Sequence, residues 1–490
     1  RSDSACMEVF SRDLHGYIDH LVEKQPDLPA AVDSSGCWTY RQLFDAARRI
    51  AALLATHVDP EKRLNEADPS LVRPVALTLP RGNLWYACCY ACWHLGVPVV
   101  ANDEMPDKAA EAERLGRLVR ELRPQAAVGP VPATELPVDC VRFTGQQIVD
   151  AIRMENVIGG PHRASKPEDV LLYTYTGGTT KHSKCVVVTH AMALWEMQNY
   201  HVVLGNNMSS ADRVLQFTSA YWGAAAFGQI DIALAFGACV VFSNSKTEDL
   251  ASVIEDYQIT VLGTVPSLLR ATYPGGPGSK AGSLRLILTW GESLPVKLSK
   301  AWKEVCLMVD LLIASEYWLA LYSYCDVYRD PVDGREKHLL IPLPKLQMHL
   351  LSENGQTLSV KGEGEMILRG DTVSPGYIGA DGRICNDESC DFFLDGLRYL
   401  RTRDKLRWVK DGTCLVYCGR TGSLAKRGGQ FVDLEDLAEK LQSIPGMASC
   451  ALLAGEKLDA FCTLDADEAL QLPGPVTSIL SDAQKLLGPS

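Results

Sequence analysis

Leu171-Leu172-Tyr173-Thr174-Tyr175-Thr176-Gly177-Gly178-Thr179-Thr180-Lys181-His182-Ser183-Lys184 is the stretch on which the reading of the fold turns. A β-type run of apolar and aromatic residues feeds a loop of Gly, Thr and Lys. Val186-Val187-Val188 follows, and a helix is predicted from near His190. Glycines let backbone N–H groups approach phosphate oxygens, threonine hydroxyls add donors, and lysine brings positive charge. The composition is that of a phosphate-binding loop, although the spacing is not the GxxxxGK[ST] of a Walker loop. Read locally, the alternative is a threonine-rich surface turn.

Strands alternate with helices on both sides of this loop. Residues 38–55 carry apolar side chains near helical spacing (Leu43, Ala46, Ile50, Leu53, Leu54) and predict a helix. A strand is predicted at 73–79, a helix through Cys88, Cys89 and Cys92, a strand at 97–100 and a charged helix at 107–123. A second series runs from Val170 to about Leu312, with apolar runs at 238–242, 259–262 and 284–288. This alternation predicts an α/β fold with parallel sheet. Pro124 to Asp169 reads as an edge or a connection. From Leu346 to Trp408 the pattern shortens to strands broken by Gly turns, which predicts a small β subdomain. The expected organisation is a large multi-layer N-terminal core, residues 1–419, built of two α/β subdomains and the small β subdomain. A small, incomplete α+β subdomain at 420–490 follows it.

Composition bounds the function. The chain has 490 residues, about three folding units at ordinary domain size. Hydrophobic residues make up 47% and charged residues 22%, which excludes a disordered or fibrous chain. The net charge is −12, so no basic excess exists to attract nucleic acid. No run reaches the roughly 18 uncharged apolar residues of a membrane helix. Sixteen cysteines are spread thinly, and those at 88–92 sit in an apolar run where they read as small core residues. A reduced, acidic, cytoplasmic protein is expected, with no nucleic acid and no membrane as partner. The start, Arg1-Ser2-Asp3-Ser4, carries neither an initiator Met nor a signal-peptide core, and reads as a cut from a longer polypeptide.

The loop resembles the signature of the adenylate-forming superfamily: acyl-CoA synthetases, luciferases and adenylation domains of nonribosomal peptide synthetases. The family pattern TSGTTGKPKG stands here as TGGTTKHSKC, keeping Thr176, Gly178, Thr179, Thr180 and Lys184 and departing at Gly177, Lys181, His182, Ser183 and Cys185. Further landmarks follow in order. Gly291-Glu292-Ser293-Leu294 resembles the turn that packs against adenine. Ser315-Glu316 stands where the family has Thr-Glu, after Leu312-Ile313 in place of Tyr-Gly. The run 364–370 with Gly376-Tyr377 resembles the GELxIxG…GY strand pair, Arg401-Thr402-Arg403-Asp404 resembles RTGD, and Gly419-Arg420 resembles the GR before the hinge.

The resemblance implies ATP-dependent activation of a small carboxylic acid as an acyl-adenylate, with Mg2+. The acceptor would be the thiol of a carrier-protein phosphopantetheine or of CoA. It assigns catalysis to Thr180, Lys184 and Glu316, with Glu316 holding the metal. Nucleotide binding falls to Thr176, Gly177, Gly178, Thr179, Gly291, Glu292, Ser293, Asp404 and Arg420. The acid pocket takes Tyr221, Trp222, Gly223, Phe227, Gly263, Trp290 and Leu319. The family's essential lysine, in a PxxxxGK context, has no counterpart up to Ser490, and truncation is the preferred account. A free-standing acyl-CoA synthetase and a non-catalytic nucleotide- or acid-binding relative are the alternatives.

Amino-acid-activating members pair the substrate ammonium with an Asp in an FDxS segment. Here Gly223 or Ala224 takes that place, so an ordinary α-amino acid would bury an unpaired charge at a cost of several kcal/mol. Aromatics gather in the same region: Tyr221, Trp222, Phe227, Trp290, Tyr317 and Trp318. They read either as pocket-filling residues that select a small acid, or as an aromatic cage for the quaternary ammonium or sulfonium of a betaine-type acid.

Overall fold

A computed structural model describes residues 14–102, 107–131, 136–154, 162–176, 183–221, 223–244, 250–385, 390–421, 424–427, 430–434, 437–438, 441, 444, 447–454 and 458–464. The chain divides into two compact units. The first comprises 1–327, 342–346 and 369–388; the second comprises 328–341, 347–368 and 389–490.

The first unit holds two sheets, and their central strands explain the long apolar runs. Val170–Tyr175 and Cys185–Thr189 are buried at every position, as strands covered on both faces must be. Their sheet runs in the order Ile384–Cys385, Tyr377–Ile378, Cys185–Thr189, Val170–Tyr175, Val99–Ala101, Val75–Leu77, Ala126–Val128, Val141–Phe143. The last five are parallel, and the turn through the Gly/Thr loop makes Cys185–Thr189 antiparallel to its neighbour. The stretch 124–169 thus supplies the last two strands at one end of the sheet.

The second sheet places Tyr317–Ser323, Leu307–Ala314, Leu286–Thr289, Val261–Thr264, Arg213–Gln216, Cys239–Phe242, Pro29–Asp33 and Gly36–Thr39 side by side. Its middle strands are parallel. A core of Leu215, Val241, Ile254, Leu262, Ile287 and Trp302 fills one face. Helix Asn83–His94 is buried on nearly all sides, the condition of a helix apolar all round. Cys88, Cys89 and Cys92 are fully buried in it, and burial pushes their thiols up, Cys88 to about 12. Helix Tyr40–Leu54 opens on a capping box: Thr39 Oγ1 accepts from Gln42 N–H at 3.2 Å, and Gln42 Oε1 accepts from Thr39 N–H at 2.9 Å.

The second unit is built on an antiparallel sheet. Thr357–Leu358, Gln347–Leu351, Glu363–Arg369, Leu397–Val409 and Asp391–Leu394 lie in that order, and Cys414–Arg420 also pairs with Leu397–Val409. Gly364 is required by close approach: a Cβ there would stand 2.5 Å from the Leu351 carbonyl oxygen. Two further hairpins, Leu424–Arg427 with Gln430–Asp433 and Met447–Ala454 with Leu458–Leu464, follow Arg420. Among the described residues, no helix is long and apolar enough to cross a membrane.

Candidate adenylation site

The stem of the phosphate loop closes on itself. Thr176 N–H donates to the Lys184 carbonyl at 3.0 Å, and Lys184 N–H donates to Thr176 Oγ1 at 3.0 Å. Ser183 Oγ donates to the Thr176 carbonyl at 2.6 Å. Arg117, on helix Lys108–Leu122, donates to the Ser183 carbonyl and pairs with Glu121 at 2.9 Å. Gly177, Gly178, Thr179 and Thr180 lie outside the described residues.

From the stem a chain of contacts reaches the expected metal ligand. The Lys184 ammonium stands 4.5 Å from the centre of the Tyr377 ring, and the Tyr377 hydroxyl donates to Glu316 Oε1 at 2.7 Å. Tyr377 is carried on a strand paired with Val186. Ser374 pins that segment: its N–H donates to the Glu316 carbonyl at 2.9 Å and its hydroxyl to the Val187 carbonyl at 2.7 Å. Among the described residues only Tyr377 bonds the Glu316 carboxylate, so its other oxygen is the atom suited to a cation. A half-buried carboxylate with one oxygen so oriented fits a hard, oxygen-seeking ion such as Mg2+.

The turn after Thr289 brings the pocket together. Gly291 adopts φ 78°, the left-handed region that glycine enters without penalty. Trp290 is 5% exposed and lies across Gly263, where a Cβ would meet Trp290 Cη2 at 2.2 Å. Gln229 bridges the same point: its Nε2 donates to the Gly263 carbonyl at 2.8 Å, and its Oε1 accepts from Thr218 at 3.2 Å. Glu292 caps helix Pro266–Thr272 by accepting from Ser267 N–H at 2.9 Å and Ser267 Oγ at 2.7 Å. Its carboxylate is therefore committed to the scaffold. Leu319 is fully buried, and its carbonyl accepts from the Trp195 indole at 2.9 Å.

Tyr221 does not join an open cage. Its ring stacks on Tyr175 with centroids 4.6 Å apart and planes 2° from parallel, and the Arg114 guanidinium stands 4.2 Å from its centre. Burial pushes its phenol up to about 12. Tyr317 and Trp318 are buried within their strand. Trp222 lies outside the described residues, and for Gly223 and Phe227 only their place at the start of helix Gly223–Phe236 is described.

In the second unit Asp404 and Arg420 face each other across paired strands. Arg420 Nε is 3.4 Å from Asp404 Oδ1, and Asp404 N–H donates to Thr402 Oγ1 at 3.1 Å. Arg403 next to it takes φ 67°, and its N–H donates to Glu365 Oε1 at 3.1 Å. Glu365 also receives Arg401. The acid strand residue and the RTGD-like turn are thereby one hydrogen-bonded piece.

Sequence reasoning did not assign Tyr377, Arg117, Arg114 or Gln229. Tyr377 sat in a quoted motif, which was the available signal. The other three act on residues far away in the chain, and nothing local marks them.

The family of AMP-binding enzymes matches residues 18–378. Curated relatives include the dapdiamide synthesis protein DdaD of Enterobacter agglomerans, 25% identical over 77% of this chain and 61% of its own length. Vanchrobactin synthetase VabF of Vibrio anguillarum is 25% identical over 91% of this chain and 16% of its own length. The chain thus spans under two thirds of these relatives. Among solved structures, Klebsiella oxytoca NpsA in complex with 3-hydroxyanthranilyl-AMSN superposes with a TM-score of 0.75, at 17% identity, over 96% of this chain and 92% of its own. A benzoate CoA ligase from Burkholderia xenovorans LB400 gives 0.74 at 18% identity, over 97% and 94%. With a match over most of its length and the fold to go with it, the chain belongs to the AMP-binding enzymes of the adenylate-forming superfamily.

Proposed function

We propose that this chain joins a carboxylic acid to the α-phosphate of ATP, releasing pyrophosphate, and passes the acyl group to a thiol. The observation that carries the reading is the run from loop stem to carboxylate, Thr176–Lys184–Tyr377–Glu316. It links the lysine ammonium at the loop's stem to the carboxylate that would hold Mg2+. Two anions must meet in this reaction, and fixed positive charge is the main help a protein can give. Mg2+ bound through Glu316 would supply further charge neutralisation at the phosphates. Asp404 and Arg420 are assigned to the nucleotide, and the functional division is placed at 419/420. Gly419, at φ 104°, gives the chain the freedom to turn there.

A relative named as a probable non-canonical nonribosomal peptide synthetase, CymA of Salinispora arenicola (strain CNS-205) at 26% identity over 90% of this chain, favours a carrier-protein thiol over CoA. Residues 217–230 contain no carboxylate, which argues against an ordinary α-amino acid. A betaine-type acid remains the finer reading, with Trp290 as its aromatic wall and Tyr221 no longer part of it. The test is thermal unfolding with magnesium-ATP and a panel of betaines, keto acids, aryl acids and amino acids, followed by ATP–pyrophosphate exchange. A ligand at 100 times its dissociation constant adds about 2.7 kcal/mol. A shift with ATP and one acid class supports the reading and names the acid. No shift with ATP or any acid refutes it and favours a non-catalytic relative.

A further inference from the structure

Two carboxyl groups lie buried against each other outside the residues assigned so far. Glu196, on helix His190–Leu204, and Asp231, on helix Gly223–Phe236, are 1% and 2% exposed. A Cβ on Gly228, one turn before Asp231, would stand 3.8 Å from Glu196 Oε2 and from the Tyr200 hydroxyl, and the two carboxyls act directly on each other. Glu196 Oε2 and Asp231 Oδ2 receive no N–H or O–H from any other described residue. Two ionised carboxylates have only lone pairs to offer each other, so this contact needs a proton on one of them.

The surroundings hold the pair in place. Tyr200 donates its hydroxyl to Glu196 Oε1 at 2.9 Å. The Leu319 carbonyl accepts at 2.9 Å from the indole of Trp195, the neighbour of Glu196 in the chain. The other titratable groups whose fields reach Asp231 are Tyr86 and Tyr90 on helix Asn83–His94, both kept neutral by burial. Among the described residues, the groups acting on the pair include no cation.

Three elements meet here, and each leads from the site. Helix His190–Leu204 follows Lys184, helix Gly223–Phe236 opens at the acid-pocket segment, and strand Tyr317–Ser323 follows Glu316. Helix positions 223, 227 and 231, four apart, fall on one face.

We propose that Glu196 and Asp231 share one proton and together act as the positioning pair of the acid pocket, fixing Leu319 and the strand that leaves Glu316 against both helices. The inference rests on the adenylation reading above. Removing the shared proton would set two negative charges side by side in the interior, which no neighbouring cation offsets. The pair then separates and Leu319 loses its anchor. Burial and the neighbouring carboxyl hold the shared proton well above the ordinary carboxylate range, to about 8 at Glu196. With folded-state values raised, the stability they contribute is complete below the unfolded carboxyl range and is lost as pH rises through about 8.

The experiment compares wild type with the Glu196→Gln/Asp231→Asn double variant, whose two amides can pair without an ionisable proton. Unfolding midpoints and the exchange KM for the best acid are followed from pH 6.5 to 9.5. The wild-type midpoint should fall as pH rises from 6.5 towards about 8 and level off above it, with the acid KM rising about tenfold per pH unit once the proton is gone. The double variant should be flat in both. Glu196→Gln alone keeps an N–H for Asp231 and serves if the double variant does not fold; its midpoint should also lose the wild-type slope. Equal alkaline limbs in wild type and variant overturn the proposal. If no acid supports exchange at any pH, the adenylation reading fails by itself, and the midpoint slopes still decide the pair: parallel slopes overturn it.

Discussion

Gly263→Ala tests the packing that defines the acid pocket. The added methyl carbon would stand 2.2 Å from Trp290 Cη2, 2.8 Å from Cζ3 and 3.3 Å from Gln229 Cγ. Relaxed carbon–carbon contacts lie at about 3.5–4.0 Å, so the indole edge must retreat by about 1.3 Å or more. Trp290 is a rigid ring, 5% exposed, and Gly263 is fixed by pairing with Leu288 and by the Gln229 hydrogen bond. Neither side yields cheaply, and overpacking of this kind costs about 1–3 kcal/mol. Trp290→Ala by itself leaves a cavity and costs about 3–5 kcal/mol. In the double variant the methyl no longer meets the ring and fills part of that cavity. Its destabilisation should therefore fall short of the sum by about 1–3 kcal/mol. Guanidinium unfolding followed by far-ultraviolet circular dichroism gives the four midpoints at constant slope. Additive losses would mean that Trp290 does not lie over Gly263, and the pocket would have to be redrawn.

Tyr377→Phe keeps the ring under Lys184 but removes the hydrogen bond to Glu316. A bond to a charged, half-buried group is worth about 1.5 kcal/mol, so exchange activity should fall about tenfold. Tyr377→Leu should fall further, and wild-type activity in Tyr377→Phe would remove Tyr377 from the site. Gly364→Ala meets backbone, the Leu351 carbonyl at 2.5 Å, rather than a side chain; it should destabilise by about 3 kcal/mol or prevent folding, read by soluble yield and unfolding midpoint. Asp310 is buried, its carboxyl pushed up to about 7 by burial, with Thr289 donating to it at 2.6 Å. Its folded-state value is raised, so the stability it contributes is lost as pH rises through about 7. Asp310→Asn has nothing to ionise, and its midpoint relative to wild type should climb between about pH 4 and 7 and level off above.

The α/β core was legible because its central strands are buried on both faces and write themselves as unbroken apolar runs, as in 170–175 and 185–189. Local signals could not show that residues 377–378 and 384–385 leave the small β region to complete the first unit's sheet, since that pairing joins Tyr377 to Val186. Of the candidate site, motifs pointed to Lys184 and Glu316, which the structure links through Tyr377. The site was illegible where a side chain acts across the fold. Tyr221 shows the limit: its neighbours in sequence belong to the expected pocket, but its ring turns to Tyr175 and Arg114. Trp290 shows the converse. It was expected in the acid pocket as a bulky ring, and the bare backbone of Gly263 is what admits it.

The departures from the family loop can be weighed in the same terms. Ser183 stands where the pattern has Pro, and its hydroxyl donates to the Thr176 carbonyl while its own carbonyl receives Arg117. Cys185 replaces a glycine and is the fully buried first residue of a central strand, packed in the core with Tyr173, Tyr175 and Val187. A loop drifting without constraint would be expected to lose bonds at its stem. This one holds four: Thr176 with Lys184 twice, Ser183 with Thr176, and Arg117 with Ser183. Proline could have supplied no donor at 183, so the substitution adds a bond the family pattern lacks, and Arg117 brings a second cation to the same end of the loop. At the described positions 176, 183 and 184 the altered stem is thus held by hydrogen bonds rather than left open.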